Sequence, residues 1–386
     1  MVSHTYQTHL SLWQRLNQID TNALSPTSAY GFIPGLDGLR ALSVLIVLVA
    51  HMGLDHIVPG GFGVTVFFFI SGFLITRLLI AEQEAKGRVN LPMFYMRRFA
   101  RLYPALLFMV FGTTLISGLM GYGLPTKTEF LAAVFYFTNF YQVHAASVDY
   151  SPLMSWTPLW SLAVEEHFYL LFPLLVLAAG LVWKRLHMAV LAIIVMVPLW
   201  RMFVYFNLNV PVSDYNYMMT DARIDSIAWG CLLTIMLHRK GIEGLRLITG
   251  VLPVLVAGAA LLASFIIRDD SFRYIFRFSL QGAAICVLIL NLYYLAKLRW
   301  AFKVLELAPL VWIGKTSYAL YLWHYPVYDF VHRNMDVDAW SIALTLVISF
   351  VMTAISFYMV EGPFMKLRKR FGSHIPVRKA APSASG

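Results

Sequence analysis

The chain has few cysteines and few charges. Cys231 and Cys286 are its only two, and they fall in separate apolar stretches of the 386 residues, which argues against a disulfide framework. Charged residues make up 13% of the sequence, about half the roughly 25% of a soluble domain, so an ordinary soluble fold is excluded. Residues 1–30 hold no apolar run of the signal-peptide kind, and no cleavable leader is expected. No internal repeat is evident, which weighs against a transporter built from inverted halves. No soluble domain is expected after the last apolar segment, and no metal is expected.

Apolar and aromatic residues dominate instead. The chain is 59% hydrophobic, with 28 Phe, 20 Tyr and 10 Trp, and its mean hydropathy is +0.68. These values predict an all-α, polytopic integral membrane protein with interfacial aromatic belts. Apolar helices are expected near 37–54, 61–81, 102–120, 157–183, 186–206, 224–238, 245–267, 275–296, 310–331 and 339–360, and about 20 residues suffice for a crossing. The segment 129–141 is apolar but short, and reads either as a crossing or as a re-entrant piece. Leu10 to Ile19 reads as a short interfacial helix.

A net charge of +10 suggests nucleic-acid affinity until the basic residues are placed. They cluster in short connections: Lys86 to Arg101, Lys184-Arg185, Arg239-Lys240 with Arg246, Lys297 to Lys303, and Lys366 to Arg370. These alternate with connections poor in Lys and Arg, which is the positive-inside pattern of a membrane protein, and no nucleic-acid partner is expected. Placing every basic loop in the cytoplasm requires 129–141 not to cross. It gives ten spans with both termini inside. Lys127 and the loop Arg268-Asp-Asp-Ser-Phe-Arg273 are exceptions, because their basic residues then fall outside. The expected organisation is a cytoplasmic segment 1–34, a transmembrane domain 35–365, and a basic, then disordered, cytoplasmic tail 366–386.

Ionisable residues inside the apolar segments are costly and are functional candidates by default. Arg40 and His51 lie eleven residues apart in the first segment. Eleven helical steps return to within roughly 20° of the starting direction and rise about 16 Å, so both side chains are expected on one face, with His51 far deeper. The fourth segment contains Trp160-Ser-Leu-Ala-Val-Glu165-Glu166-His167-Phe-Tyr169. Ser161, Glu165 and Tyr169 recur every four residues and share a face. Arg223 and Asp225 open the sixth segment, where they serve a site or pair with other groups as scaffold. Tyr321 and His324 lie in the ninth, and capping or interfacial placement suits His324. Arg97, Arg98 and Arg101 precede the third segment and form either a topology determinant that touches lipid phosphates or a phosphate-binding patch, since guanidinium forks match phosphate oxygens. Gly60-Gly61-Phe-Gly63 is a tight turn or a backbone nest for an anion. Ser71-Gly72 reads as a helix-packing element.

Taken in order, these pieces resemble the membrane acyltransferase-3 family, bacterial O-acyltransferases that modify O-antigen lipopolysaccharide, exopolysaccharides, Nod factors and related glycans. Gly35-Leu-Asp-Gly-Leu-Arg40 followed by His51 resembles the family's basic-X10-His signature. Phe67-Phe-Phe-Ile-Ser71-Gly72-Phe73 follows, and Arg98-Phe-Ala-Arg101 resembles its R-x-x-R motif. Trp160 to Tyr169 resembles its W-S-L-x-x-E-E-x-F-Y signature, with His167 where a Gln is expected. Arg223-Ile-Asp225 and Ser317 to Pro326 complete the match, which runs from about Gly35 to Pro363.

The resemblance implies transfer of an acyl group, usually acetyl, from cytosolic acetyl-CoA or another acyl-CoA to a hydroxyl of an envelope glycan or glycolipid, in the bacterial cytoplasmic (inner) membrane. His51 is then the expected general base and Glu165 its orienting partner or a second base. Arg40, Arg97, Arg98 and Arg101 are the expected CoA-binding cations. Glu166, Tyr169, Arg223, Asp225, Ser71, Tyr321 and His324 are expected to support the site, and an acyl-His or acyl-Ser71 intermediate is a variant. The alternatives are a transporter or flippase of lipid-linked glycans, an acyltransferase acting on a small hydrophobic acceptor, and a non-catalytic scaffold.

Overall fold

A computed structural model describes residues 17–19 and 33–370 of the chain. The expected interfacial helix over 10–19 lies outside the described residues apart from 17–19. There Ile19 makes an isolated antiparallel bridge to Leu295 rather than a helical turn. The expected disordered tail also lies outside them from residue 371 onward.

Among the described residues the protein is helical, and each of the ten apolar segments is a helix: α1 Leu36–Val49, α2 Gly60–Lys86, α3 Leu91–Leu119, α4 Leu159–Ala178, α5 Trp183–Asn207, α6 Thr220–Lys240, α7 Val251–Ile266, α8 Arg277–Tyr294, α9 Ala308–His332 and α10 Ala339–Ile355. Seven helices among the described residues are long and apolar enough to cross a membrane. The other three depart for different reasons. Helix α7 has only 16 residues, while α6 and α9 are long enough but carry too many polar residues, among them Asp221, Arg223, Asp225, Arg239 and Lys240 in α6 and Lys315, His324 and Asp329 in α9. The segment 129–141 makes no single helix. It breaks at Tyr136, whose φ is +59°, into the short helices Lys127–Val134 and Thr138–Ser147.

Two devices hold the bundle together. The first is close backbone approach through glycine. A Cβ on Gly72 would collide with the carbonyl oxygen of Ile227, and one on Gly230 with that of Phe69, so α2 and α6 touch backbone to backbone. Small residues at such crossings are what lipid-embedded helices use, because apolar tails give no hydrophobic drive to associate. The second is a buried hydroxyl stripe on α10, Ser341, Thr345, Ser349 and Thr353 at spacing four, against α9. Thr345 and Thr353 donate to the carbonyls of Ser341 and Ser349, so their polarity is satisfied within the helix.

Local signals set several boundaries. Asn90 caps α3 through Met93 N–H, with proline in the first turn. Asp338 and Ser341 close a reciprocal capping box on α10. Helix α1 ends in a wide turn, Ala50–Leu54, where Met52 and Gly53 leave helical geometry and Gly53 takes φ +88°. Such π-type turns recur at functional sites, and this one carries His51.

Candidate active site

Two cavities meet the polar residues of the bundle, and they share no lining residue. The first opens toward the bundle end that bears the basic connections. Arg40 of α1, Ser71 of α2, Arg98 and Arg101 of α3, Glu165, Glu166 and Tyr169 of α4, and Tyr321 of α9 line it. Tyr136, from the broken segment, and Tyr318 complete its wall. The second cavity, of about 420 Å3, lies toward the other end and is lined by His51, Asp55, His56, Tyr217, Arg268, Arg273, Arg277 and Gln281 among others.

The first cavity is cationic at its mouth and carboxylate-bearing within. The Arg98 guanidinium lies 3.1 Å above the Tyr169 ring and 3.7 Å from a Glu166 oxygen. Glu165 Oε1 accepts hydrogen bonds from the Ser71 hydroxyl at 2.5 Å and from the Tyr169 hydroxyl. The helical spacing that put Ser161, Glu165 and Tyr169 on one face therefore holds, and Ser71 is drawn to that carboxylate while Gly72 alone makes the tight packing contact. Arg97 departs from expectation. It donates to Glu82 at 3.2 Å and does not line the cavity, because neighbouring helix positions point about 100° apart.

Glu165 does not orient His51. The His51 Nδ1 lies 2.8 Å from His324 Nε2, and the two rings stack at an interplanar angle of 4°. The expected carboxylate partner is replaced by an imidazole. Chain geometry explains the difference: Arg40 and His51 were expected on one face of a regular helix, but the wide turn at Ala50 re-aims His51, so Arg40 lines the first cavity and His51 the second. His324 is fully buried rather than interfacial.

Its hydrogen bonds fix the proton positions. His324 Nδ1 is 2.7 Å from the Tyr321 carbonyl and 3.2 Å from that of Leu320. Carbonyls only accept, so Nδ1 carries a proton. In the neutral ring this leaves a lone pair on Nε2, which accepts from His51 Nδ1–H. His51 Nε2 then holds a free lone pair. Asp55 lines the same cavity as His51.

A wall divides the cavities. Tyr321 O–H donates to the Pro158 carbonyl at 3.0 Å, and its oxygen is 2.7 Å from the Ser161 hydroxyl. The His324 ring lies 5.4 Å from the Tyr321 ring, so the two histidines sit just beyond this wall.

Arg223 and Asp225 are not partners of each other. Asp225 is held by Arg201 through two bonds of 3.1 and 2.9 Å and by Ser279 at 2.6 Å. Both members of this ion pair are fully buried, and the pair reads as scaffold. Arg201, near the end of α5, was missed because a single arginine beside aromatic residues resembles an interfacial anchor. Arg223 sits among aromatic rings, 3.8 Å above Phe278, and donates to Thr65 and to the Tyr217 carbonyl.

The glycines at the start of α2 serve packing and space. Gly61 leaves room for the Tyr217 hydroxyl, and a Cβ on Gly63 would press on the Ser43 carbonyl of α1.

The sequence is similar to known acyltransferases. Residues 33–361 match the family model described as an acyltransferase domain. O-acetyltransferase OatA of Staphylococcus aureus strain MRSA252 is 31% identical over 363 residues, covering 90% of this chain and 60% of that protein. A protein of S. aureus strain COL, provisionally named an O-acetyltransferase, is 31% identical over 356 residues, covering 87% of this chain and 58% of its own length. The chain thus spans about three fifths of these relatives. No solved structure matches. The chain belongs to the acyltransferase-3 family.

Proposed function

We propose that this protein transfers an acyl group, acetyl in the simplest case, from cytosolic acyl-CoA to a hydroxyl of an envelope or secreted glycan, in the bacterial cytoplasmic membrane. The observation that carries the reading is the His51–His324 hydrogen bond, which leaves His51 Nε2 as a free base beside a cavity large enough for sugar units. The S. aureus relatives named as O-acetyltransferases support the choice of acetyl.

Each step has a residue. Arg98 and Arg101, with Arg40, receive the phosphate and pantetheine groups of the donor at the basic mouth of the first cavity. The thioester advances toward the wall, and Tyr321 turns aside to admit it. His51 Nε2 takes the proton of the acceptor hydroxyl as its oxygen attacks the thioester carbonyl. Positioned base catalysis of this kind contributes about 10²–10⁴-fold. His324 fixes the tautomer of His51 in the way the buried acid of a catalytic triad does, and Asp55 favours the imidazolium that forms. That proton then leaves with the coenzyme A thiolate.

His51→Ala tests this reading. Glycan acetylation from acetyl-CoA by the purified protein should fall by at least about 10²-fold, with elution from gel filtration unchanged. Near-normal acetylation would remove His51 from the chemistry.

A second reading rests on Ser71. A hydroxyl bonded to a carboxylate inside the donor cavity is a nucleophile–base arrangement. Glu165 would take the Ser71 proton as its oxygen attacks the thioester, giving an acyl-Ser71 and free coenzyme A. Labelled acyl-protein trapped without acceptor, and lost in Ser71→Ala, would establish it.

A further inference from the structure

The second cavity has a charge pattern that the chemistry at His51 does not require. Three guanidiniums, those of Arg268, Arg273 and Arg277, line it together with a single carboxylate, Asp55. Arg273 lies 3.4 Å from Asp270, at the exposed rim. Among the described residues, neither Arg268 nor Arg277 has a carboxylate oxygen within 4.0 Å. Arg277 is half-buried, with its guanidinium 5.1 Å from the Phe278 ring. Arg268 and Arg273 both act on it as like charges.

Three cations against one lining carboxylate, with Arg273 meeting Asp270 at the rim, leave an excess of positive charge at the cavity wall that an anionic ligand would offset. Two of these arginines, like Lys127, also depart from the positive-inside pattern: Arg268 and Arg273 lie at the opposite end of the bundle from the main basic connections. Topology does not account for them, whereas recognition does, because guanidinium forks match carboxylate and phosphate oxygens. Gln281, Ser264 and the Tyr217 hydroxyl add neutral hydrogen-bonding groups to the same wall. At about 420 Å3 the space falls within the usual range of small-ligand sites, about 300–1,000 Å3.

We infer that this vestibule selects a negatively charged glycan as acceptor, its carboxylate or phosphate held by Arg268, Arg273 and Arg277 while a neighbouring hydroxyl reaches His51. The inference rests on the acyl-transfer reading for the use of the site. Its charge preference is measurable without any turnover, so the two fail separately.

The test is calorimetric binding to the full chain in detergent, with three probes: digalacturonate, the neutral galactobiose, and inorganic pyrophosphate. Digalacturonate or pyrophosphate should bind at least tenfold more tightly than galactobiose, and the advantage should shrink as salt rises. Binding of digalacturonate identifies a carboxylated sugar, and binding of pyrophosphate alone identifies a phosphate-bearing glycan. Arg277→Gln should lower anion affinity about tenfold or more, as expected for loss of a charged hydrogen bond. Arg268→Gln, at an exposed position, gives a second reading in a variant with little risk to folding. Equal affinity for galactobiose and digalacturonate with no pyrophosphate binding, or an anion preference unchanged in both variants, would overturn the inference.

Discussion

Replacing His324 by Leu separates orientation of the base from every other contribution to the site. The substitution removes the 2.8 Å hydrogen bond to His51 and leaves the Nδ1–H of His51 facing an apolar side chain. Stranding one buried polar group costs about 1–3 kcal/mol. If that cost falls on the competent tautomer and rotamer of His51, kcat drops about 5- to 150-fold, since 1.4 kcal/mol is a factor of ten. Neither histidine lines the first cavity, so, with acetyl-CoA held there as proposed, its KM should stay within twofold. His324→Gln provides the control. Its amide oxygen can stand near the place of Nε2 and accept from His51, so it should recover most of the activity lost in the Leu variant. The assay is radiolabelled acetyl transfer by protein in lipid nanodiscs, with gel filtration to verify folding. A Leu variant with wild-type kcat, or Leu and Gln variants of equal activity, would refute the assignment of His324 as the residue that positions His51.

Three further outcomes follow from the geometry. Arg98→Ala should raise KM for acetyl-CoA about tenfold or more by removing a charged contact in the donor cavity, while Arg97→Ala, whose partner Glu82 lies outside that cavity, should leave KM unchanged; initial-rate kinetics distinguish them. Gly72→Ala should destabilise the bundle by on the order of 3 kcal/mol, because its methyl group meets the Ile227 backbone rather than a side chain that can move, and a fall in thermal unfolding temperature would show it. Asp225→Ala leaves Arg201 as an unpaired buried charge; breaking such a pair costs about 3–5 kcal/mol, so folded yield from detergent extraction should fall steeply, and a normal yield would contradict the scaffold role.

How much of this was legible in the sequence depends on whether the signal was local. Hydropathy located all ten helices because each carries its own apolar run, and the segment 129–141, which the charge of the connections kept from being read as a crossing, is two short helices. Helical spacing placed Ser161, Glu165 and Tyr169 on one face because α4 is regular there. The same reasoning misplaced His51, since a wide turn at Ala50 breaks the periodicity it assumed, and the departure of Met52 and Gly53 from helical angles has little local signature beyond the glycine. The partnership of His51 with His324 spans 273 positions, and pairing at that distance leaves no trace in spacing. Arg201 was overlooked for the same reason: its buried partner Asp225 lies on another helix. The Arg268–Arg273 loop was visible, but only as an irregularity in topology.

The hydroxyl contacts that join Tyr321 to Ser161 and Pro158 have a consequence for the living cell. An energised bilayer drives each stray ion with about 2.3 kcal/mol per 100 mV, and an uninterrupted wet thread through this bundle would bleed that gradient away. In the acyl transfer proposed above, this aromatic plug would act as an insulator as well as a door, yielding only to a bulky thioester that fills the gap as it passes and closing again before water follows.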